Sequence, residues 1–82
     1  MVVKQLRPDL ARYLQKHNII KQYLKQTKIF EENPHHPSLN TEILEPKLLK
    51  IYSFRISRKY RAIFIILRNN EAEIVDINLH YR

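Results

Sequence analysis

The 82-residue sequence has no cysteine, which excludes a disulfide scaffold, thiolate metal sites and a cysteine nucleophile. It has no glycine either, where average usage would supply about six. The phosphate-binding loop of P-loop enzymes, the dinucleotide-binding turn and the nucleophile elbow all need glycine, so nucleotide-cofactor enzymology is not expected. No apolar run approaches the roughly 20 residues that span a bilayer. The start, Met1-Val2-Val3-Lys4-Gln5-Leu6-Arg7, lacks the apolar core and small-residue cleavage site of a signal peptide, so a cytoplasmic protein is expected. Acidic side chains are scarce: eight Asp and Glu face fifteen Lys and Arg, for a net charge of +7. Residues 1–30 hold seven of the bases and a single acid, Asp9. A small domain charged in this way attracts polyanions, with nucleic acid first among them and an acidic protein partner next.

The length allows one domain over residues 1–82. Leu6, Leu10, Tyr13, Leu14 and His17 recur at helical spacing after Pro8-Asp9, which suits a first turn. Asn18 marks the stop. A second helix shows Ile20, Tyr23, Leu24, Thr27 and Phe30 on one stripe and ends at Asn33-Pro34. A strand at Val2–Leu6 is expected to precede this αα-hairpin. A loop-rich middle, residues 33–46, holds three of the four prolines and a short strand around Leu39–Leu44.

Beyond it the period becomes two. In Ile51–Ser57, Tyr52, Phe54 and Ile56 share one face while Ser53 and Arg55 share the other. Tyr60–Leu67 is an apolar run interrupted by Arg61, as a central strand would be. Asn69-Asn70 reads as a two-residue hairpin turn. In Ala72–Tyr81, Val75, Ile77 and Leu79 are expected to face the core and Asp76, Asn78 and His80 to face away. The predicted fold class is α+β, with the two N-terminal helices packed on one face of a small antiparallel sheet.

A two-residue turn at Asn69-Asn70 sets Arg61 opposite Asn78 and Ile63 opposite Asp76, with His80 diagonal to Arg61. An odd-length loop around Arg58-Lys59-Tyr60 puts Arg55 on the face of Arg61. One uncovered sheet face is thereby predicted to gather Arg55, Arg61, Asn78 and His80. An arginine set into an apolar strand calls for an anion. His35-His36 forms no metal site on this reading, because adjacent histidines point apart, and neither a metal nor another cofactor is expected.

Asn33-Pro34, His36-Pro37-Ser38-Leu39, Tyr52-Ser53-Phe54-Arg55-Ile56-Ser57, Tyr60-Arg61-Ala62-Ile63-Phe64 and His80-Tyr81, in this order over nearly the whole chain, resemble the RelE/ParE toxin superfamily of bacterial toxin–antitoxin systems. The run "YSFRISRKYRAIF" and the terminal His-Tyr look most like the YoeB branch. Counting back from Tyr52 without gaps, Glu42 falls where that branch carries its catalytic glutamate. The resemblance implies an mRNA endoribonuclease that needs no metal, works in the ribosomal decoding site and is neutralised by an acidic antitoxin. It implies catalytic roles for Glu42, Arg61, His80 and Tyr81. Arg55, Arg58, Lys59, Lys21 and Lys25 would hold RNA backbone. Metal-free cleavage needs a base for the 2′-hydroxyl, a cation for the phosphorane and an acid for the 5′-oxygen, and Glu42, Arg61 and His80 offer these types. Two alternatives share the fold: a gyrase poison of the ParE type, and an inactive relative that only binds its antitoxin.

Overall fold

The computed structural model describes residues 1–79. Its elements are β1 (Val2–Val3), α1 (Pro8–Lys16), α2 (Ile20–Glu32), β2 (Glu42–Ile43), β3 (Tyr52–Arg55), β4 (Tyr60–Ile66) and β5 (Glu71–Leu79). Short 3₁₀ turns at Pro37–Leu39 and Lys47–Leu49 flank β2. The strands form one sheet in the order β1-β5-β4-β3-β2. The α+β class holds, but the sheet is mixed rather than antiparallel, because β1 runs parallel to β5. That edge strand is two residues long instead of the expected Val2–Leu6. Lys4 N–H makes a last bond to the Ala72 carbonyl, 2.8 Å, before the chain turns toward Pro8.

With no glycine available, asparagine supplies most of the left-handed backbone. Asn18 (φ 57°), Asn40 (φ 46°), Asn70 (φ 62°) and Lys50 (φ 55°) all have positive φ. At Asn18 this closes α1: Asn18 N–H donates to the Gln15 carbonyl at 3.2 Å and Ile19 N–H to the Leu14 carbonyl at 3.0 Å. That pair of bonds is a Schellman cap, and its hydrophobic contact is supplied by buried Leu14 and Ile19. The cap also sets the phase of α2. Ile19, Tyr23, Gln26 and Phe30 turn inward, whereas Ile20 and Leu24 of the expected stripe are exposed, Leu24 by 60%.

The core lies between the helices and one sheet face. Leu10, Leu14, Tyr23 and Phe30 meet Phe54, Ala62, Phe64, Ile74 and Ile77, with Leu39 closing one end at 0% exposure. Phe30 stacks on Phe54 (centroids 5.1 Å) and meets Phe64 edge-on (5.0 Å), arrangements that add to the burial of the rings. Just past the end of α1, His17 Nδ1 lies 3.1 Å from the Tyr60 hydroxyl, so this C-cap residue is tied to the start of β4.

Two expectations about the β4–β5 hairpin are corrected. The connection is a three-residue loop, Arg68–Asn70, closed by Leu67 N–H to the Glu71 carbonyl, 2.7 Å. Asn70 alone has positive φ there, whereas a type I′ turn needs it at both central residues. The register then shifts by one between Ile63↔Asp76 and Phe64↔Ile74, leaving Val75 as the extra residue of a β-bulge. Ala72 and Ile74 therefore face the core on the turn side, and Ile77 does so beyond the bulge. Val75, assigned to the core by simple alternation, is half-buried, and Leu79 is exposed by 40% at the strand's end. Arg7 Nη1 donates to the Val75 carbonyl at 3.3 Å, and Asp76 Oδ1 accepts from Ile77 N–H at 2.9 Å.

Candidate active site on the uncovered sheet face

The bulge and the longer loop offset each other, so the far half of the hairpin keeps the expected register. Arg61 pairs with Asn78 and Ile63 with Asp76. Across β3, Arg55 pairs with Arg61 and Ser53 with Ile63. Glu42 pairs with Ser53. Directly paired residues share a sheet face, so Glu42, Ser53, Arg55, Arg61, Asp76 and Asn78 all lie on the face turned away from the helices. Glu42, Arg55, Asp76 and Asn78 are exposed there.

Arg61 is not exposed, contrary to the expectation of an open face with nothing packed on it. It is 4% accessible and Ser53 beside it is 1% accessible. Its Nε donates to Ser53 Oγ at 2.9 Å, and its Nη2 donates to the Asn40 carbonyl at 2.6 Å and to the Ser53 carbonyl at 3.3 Å. Nη1 is buried and has no hydrogen-bond partner among the described residues. Burial pushes the Arg61 pKa down, the Glu42 carboxylate pushes it up, and the Arg55 guanidinium pushes it down again. Arginine starts so far above neutrality that the group stays charged. The result is a desolvated cation held by neutral acceptors, with one nitrogen unspent and a carboxylate near enough to influence it.

Supporting contacts come from residues that sequence patterning did not single out for the site. Gln26, buried on α2, donates from Nε2 to the carbonyls of Ser38 (3.1 Å) and Arg55 (2.8 Å), tying the helix to the end of β3 and to the Pro37–Leu39 turn. A glutamine at helical spacing from Tyr23 and Phe30 was the available signal. The turn itself is capped by His36 Nδ1, which accepts from Ser38 N–H at 3.1 Å.

The other expected site residues divide. Arg58 and Lys59 are exposed in the β3–β4 turn, one end of the same hairpin as Arg55 and Arg61. Lys21 and Lys25 are exposed on α2, in the layer on the opposite side of the sheet from Arg61. The structure does not bring these two to the site, because the helices cover the core face. His80 and Tyr81 lie outside the described residues. Among the described residues, no group of three or more His, Asp or Glu side chains is placed to hold a metal ion. No helix among them is long and apolar enough to cross a membrane.

No family model and no curated protein matches the sequence. Solved structures do match, over 98% of the chain. A YoeB/ParE toxin from Agrobacterium tumefaciens is 16% identical, with a TM-score of 0.71 over 96% of that chain. The toxin–antitoxin complex YoeB-YefM from Staphylococcus aureus, a heterotetramer, matches at 20% identity and a TM-score of 0.68 over 94% of its chain. A YoeB dimer from the same organism matches at 21% and 0.65, again over 94%. The chain has the YoeB/ParE toxin fold. Within that fold the Arg61 face runs across β5, β4, β3 and β2, and it is the side of the sheet that the two helices leave free.

Proposed function

We propose that this chain is the toxin of a type II toxin–antitoxin pair and that it cleaves mRNA on the ribosome without a metal ion. The observation that carries the reading is Arg61, a buried guanidinium with an unspent nitrogen on the sheet face that also bears Glu42. Preorganised positive charge in a dry site is the most effective device for stabilising a phosphorane, since low dielectric strengthens the interaction and no reorganisation is needed. In this scheme Glu42 takes the proton of the RNA 2′-hydroxyl, Arg61 stabilises the dianionic phosphorane, and His80 protonates the 5′-oxygen as it leaves. Tyr81 stacks on or orients the cleaved nucleotide. Arg55, Arg58 and Lys59, at one end of the hairpin, hold RNA backbone by charge. Lys21 and Lys25, on the helix layer, would meet a different stretch of polyanion. A net charge of +7 suits neutralisation by an acidic antitoxin, and the structural neighbours include a toxin held in complex with its antitoxin.

The test is cleavage of a translated mRNA by purified protein, followed by analysis of the cut ends. Attack by the 2′-oxygen leaves a 2′,3′-cyclic phosphate or 3′-phosphate upstream and a 5′-hydroxyl downstream, and EDTA does not slow the chemical step on intact ribosomes. Cut ends carrying 5′-phosphate would exclude the mechanism. Absence of any cutting, with gyrase inhibited instead, would return the protein to the ParE type of activity.

A further inference from the structure

We propose that Ser53 and the main-chain carbonyl of Asn40 are positioning groups that lock the Arg61 guanidinium so that Nη1 is the nitrogen offered to a phosphate oxygen. The proposal rests on the anion-binding role given to Arg61 above. A guanidinium carries five N–H donors in one plane. Here the edge formed by Nε and Nη2, the one that usually forks onto a carboxylate or phosphate, is consumed internally by Ser53 Oγ, the Ser53 carbonyl and the Asn40 carbonyl. Fixing two corners of a planar group fixes the third. The directions of the two N–H bonds of Nη1 are then fixed as well, and no acceptor among the described residues takes either.

The chemistry of the acceptors matters as much as their geometry. A carboxylate in the place of Ser53 would hold the guanidinium equally well but cancel its charge. A hydroxyl and two carbonyls hold it and leave the full positive charge for a ligand. A buried donor left unpaired is costly, and an incoming phosphate oxygen removes that cost as it binds.

The acceptors are themselves built in. Ser53 pairs with Ile63 and Arg55 with Arg61, so Ser53 is the diagonal cross-strand neighbour of Arg61, within reach of a long side chain. Asn40 sits in the left-handed region (φ 46°, ψ 49°) at the end of the Pro37–Leu39 turn. This conformation is unfavourable for most residues and tolerated by asparagine, and it places the Asn40 carbonyl within reach of Nη2. Fully buried Leu39 and the Gln26 bond to the Ser38 carbonyl anchor the turn.

The test uses NMR of the intact protein, with inorganic phosphate as probe, alongside cleavage of translated mRNA. In the wild-type protein the Arg61 Nε–H should exchange far more slowly than that of exposed Arg55, and phosphate should shift the Arg61 side-chain signals. Equal exchange at the two arginines overturns the lock without recourse to any variant. Ser53→Ala should bind phosphate about tenfold more weakly, the worth of one hydrogen bond to a charged group, and should lower kcat with KM little changed. Ser53→Thr, which keeps the hydroxyl, should restore both. If Ser53→Ala binds phosphate and cuts as the wild type does, the positioning role fails while the nuclease reading stands. If phosphate binding follows Ser53 but the wild type cuts no RNA, the lock stands and the nuclease reading fails.

Discussion

Arg61→Ala is expected to act on both catalysis and stability, and the structure separates the two magnitudes. For catalysis, the variant removes the one buried cation of the face among the described residues. Loss of a single preorganised donor to a developing oxyanion costs about 2.7–4 kcal/mol, or 10²–10³ in kcat. For stability, the truncation leaves the Ser53 hydroxyl, the Ser53 carbonyl and the Asn40 carbonyl without their donor. A buried acceptor left unmade costs about 1–3 kcal/mol. Water entering the vacated space supplies part of what is lost, and removing a desolvated charge is itself favourable. The net expectation is a destabilisation of about 1–3 kcal/mol, roughly 5–20 °C in Tm for a domain of this length. A urea melt and initial cleavage rates, taken where both proteins are folded, measure the two effects apart. Arg61→Lys keeps the charge but cannot span the acceptors, so its stability should fall with that of Arg61→Ala while its rate falls less. A folded Arg61→Ala protein that cuts within about threefold of wild type, far inside the loss expected for an oxyanion donor, would refute the reasoning.

Three further outcomes follow from the packing. Gln26→Ala, which strips donors from the Ser38 and Arg55 carbonyls, should cost about 1–3 kcal/mol in a urea melt; a change below about 0.5 kcal/mol would show that water replaces the amide freely. Asn18→Ala should lose about 1–2 kcal/mol at the left-handed cap of α1, whereas Asn18→Gly should melt at or above the wild-type temperature, and equal melting of the Ala variant would remove the argument for the cap. Burial, with some help from the Glu31 carboxylate, raises the Tyr23 phenol above its ordinary value of 10.0. The folded state then binds the proton more tightly, so this contribution is present below pH 10 and is lost as pH rises through the raised value; Tyr23→Phe should flatten the alkaline limb of stability against pH, and an unchanged limb would assign it to other groups.

Much of this architecture was legible in the residues because each pattern had one dominant cause. Alternation at Tyr52, Phe54 and Ile56 assigns a buried strand face, and the structure buries Phe54 and Ile56 on that side. The phase of α2 was less legible. Ile20 and Leu24 are as apolar as Ile19, and only the cap at Asn18 decides which of them turns inward. Gln26 is preferred at the core face over a more apolar neighbour because two carbonyls wait for its amide. Such a partner comes from tertiary structure and leaves no mark on local periodicity. The burial of Arg61 is of the same kind: an interrupted apolar run flags the residue, while its cover depends on where Asn40 and Ser53 come to rest.

The register of the candidate site shows why a correct pairing can follow from an incorrect turn. A two-residue turn at Asn69-Asn70 sets Arg61 opposite Asn78, and so does a three-residue loop followed by one bulged residue. The structure takes the second course. The two differ only between the turn and Val75, where the bulged path exchanges which residues face the core. Ile74 is gained there, and Val75, whose carbonyl is free to accept from Arg7, becomes the extra residue. A bulge also increases local twist and bends its strand. Beyond the bulge, Asp76 and Asn78 return to the Arg61 face in the row order required by Ile63 and Arg61. The site depends on the far half of the hairpin alone, so an added loop residue is tolerated as long as one is also taken up in the strand. A one-residue change in the loop without the bulge would send Asn78 to the core face and Ile77 to the site, since side chains alternate along a strand.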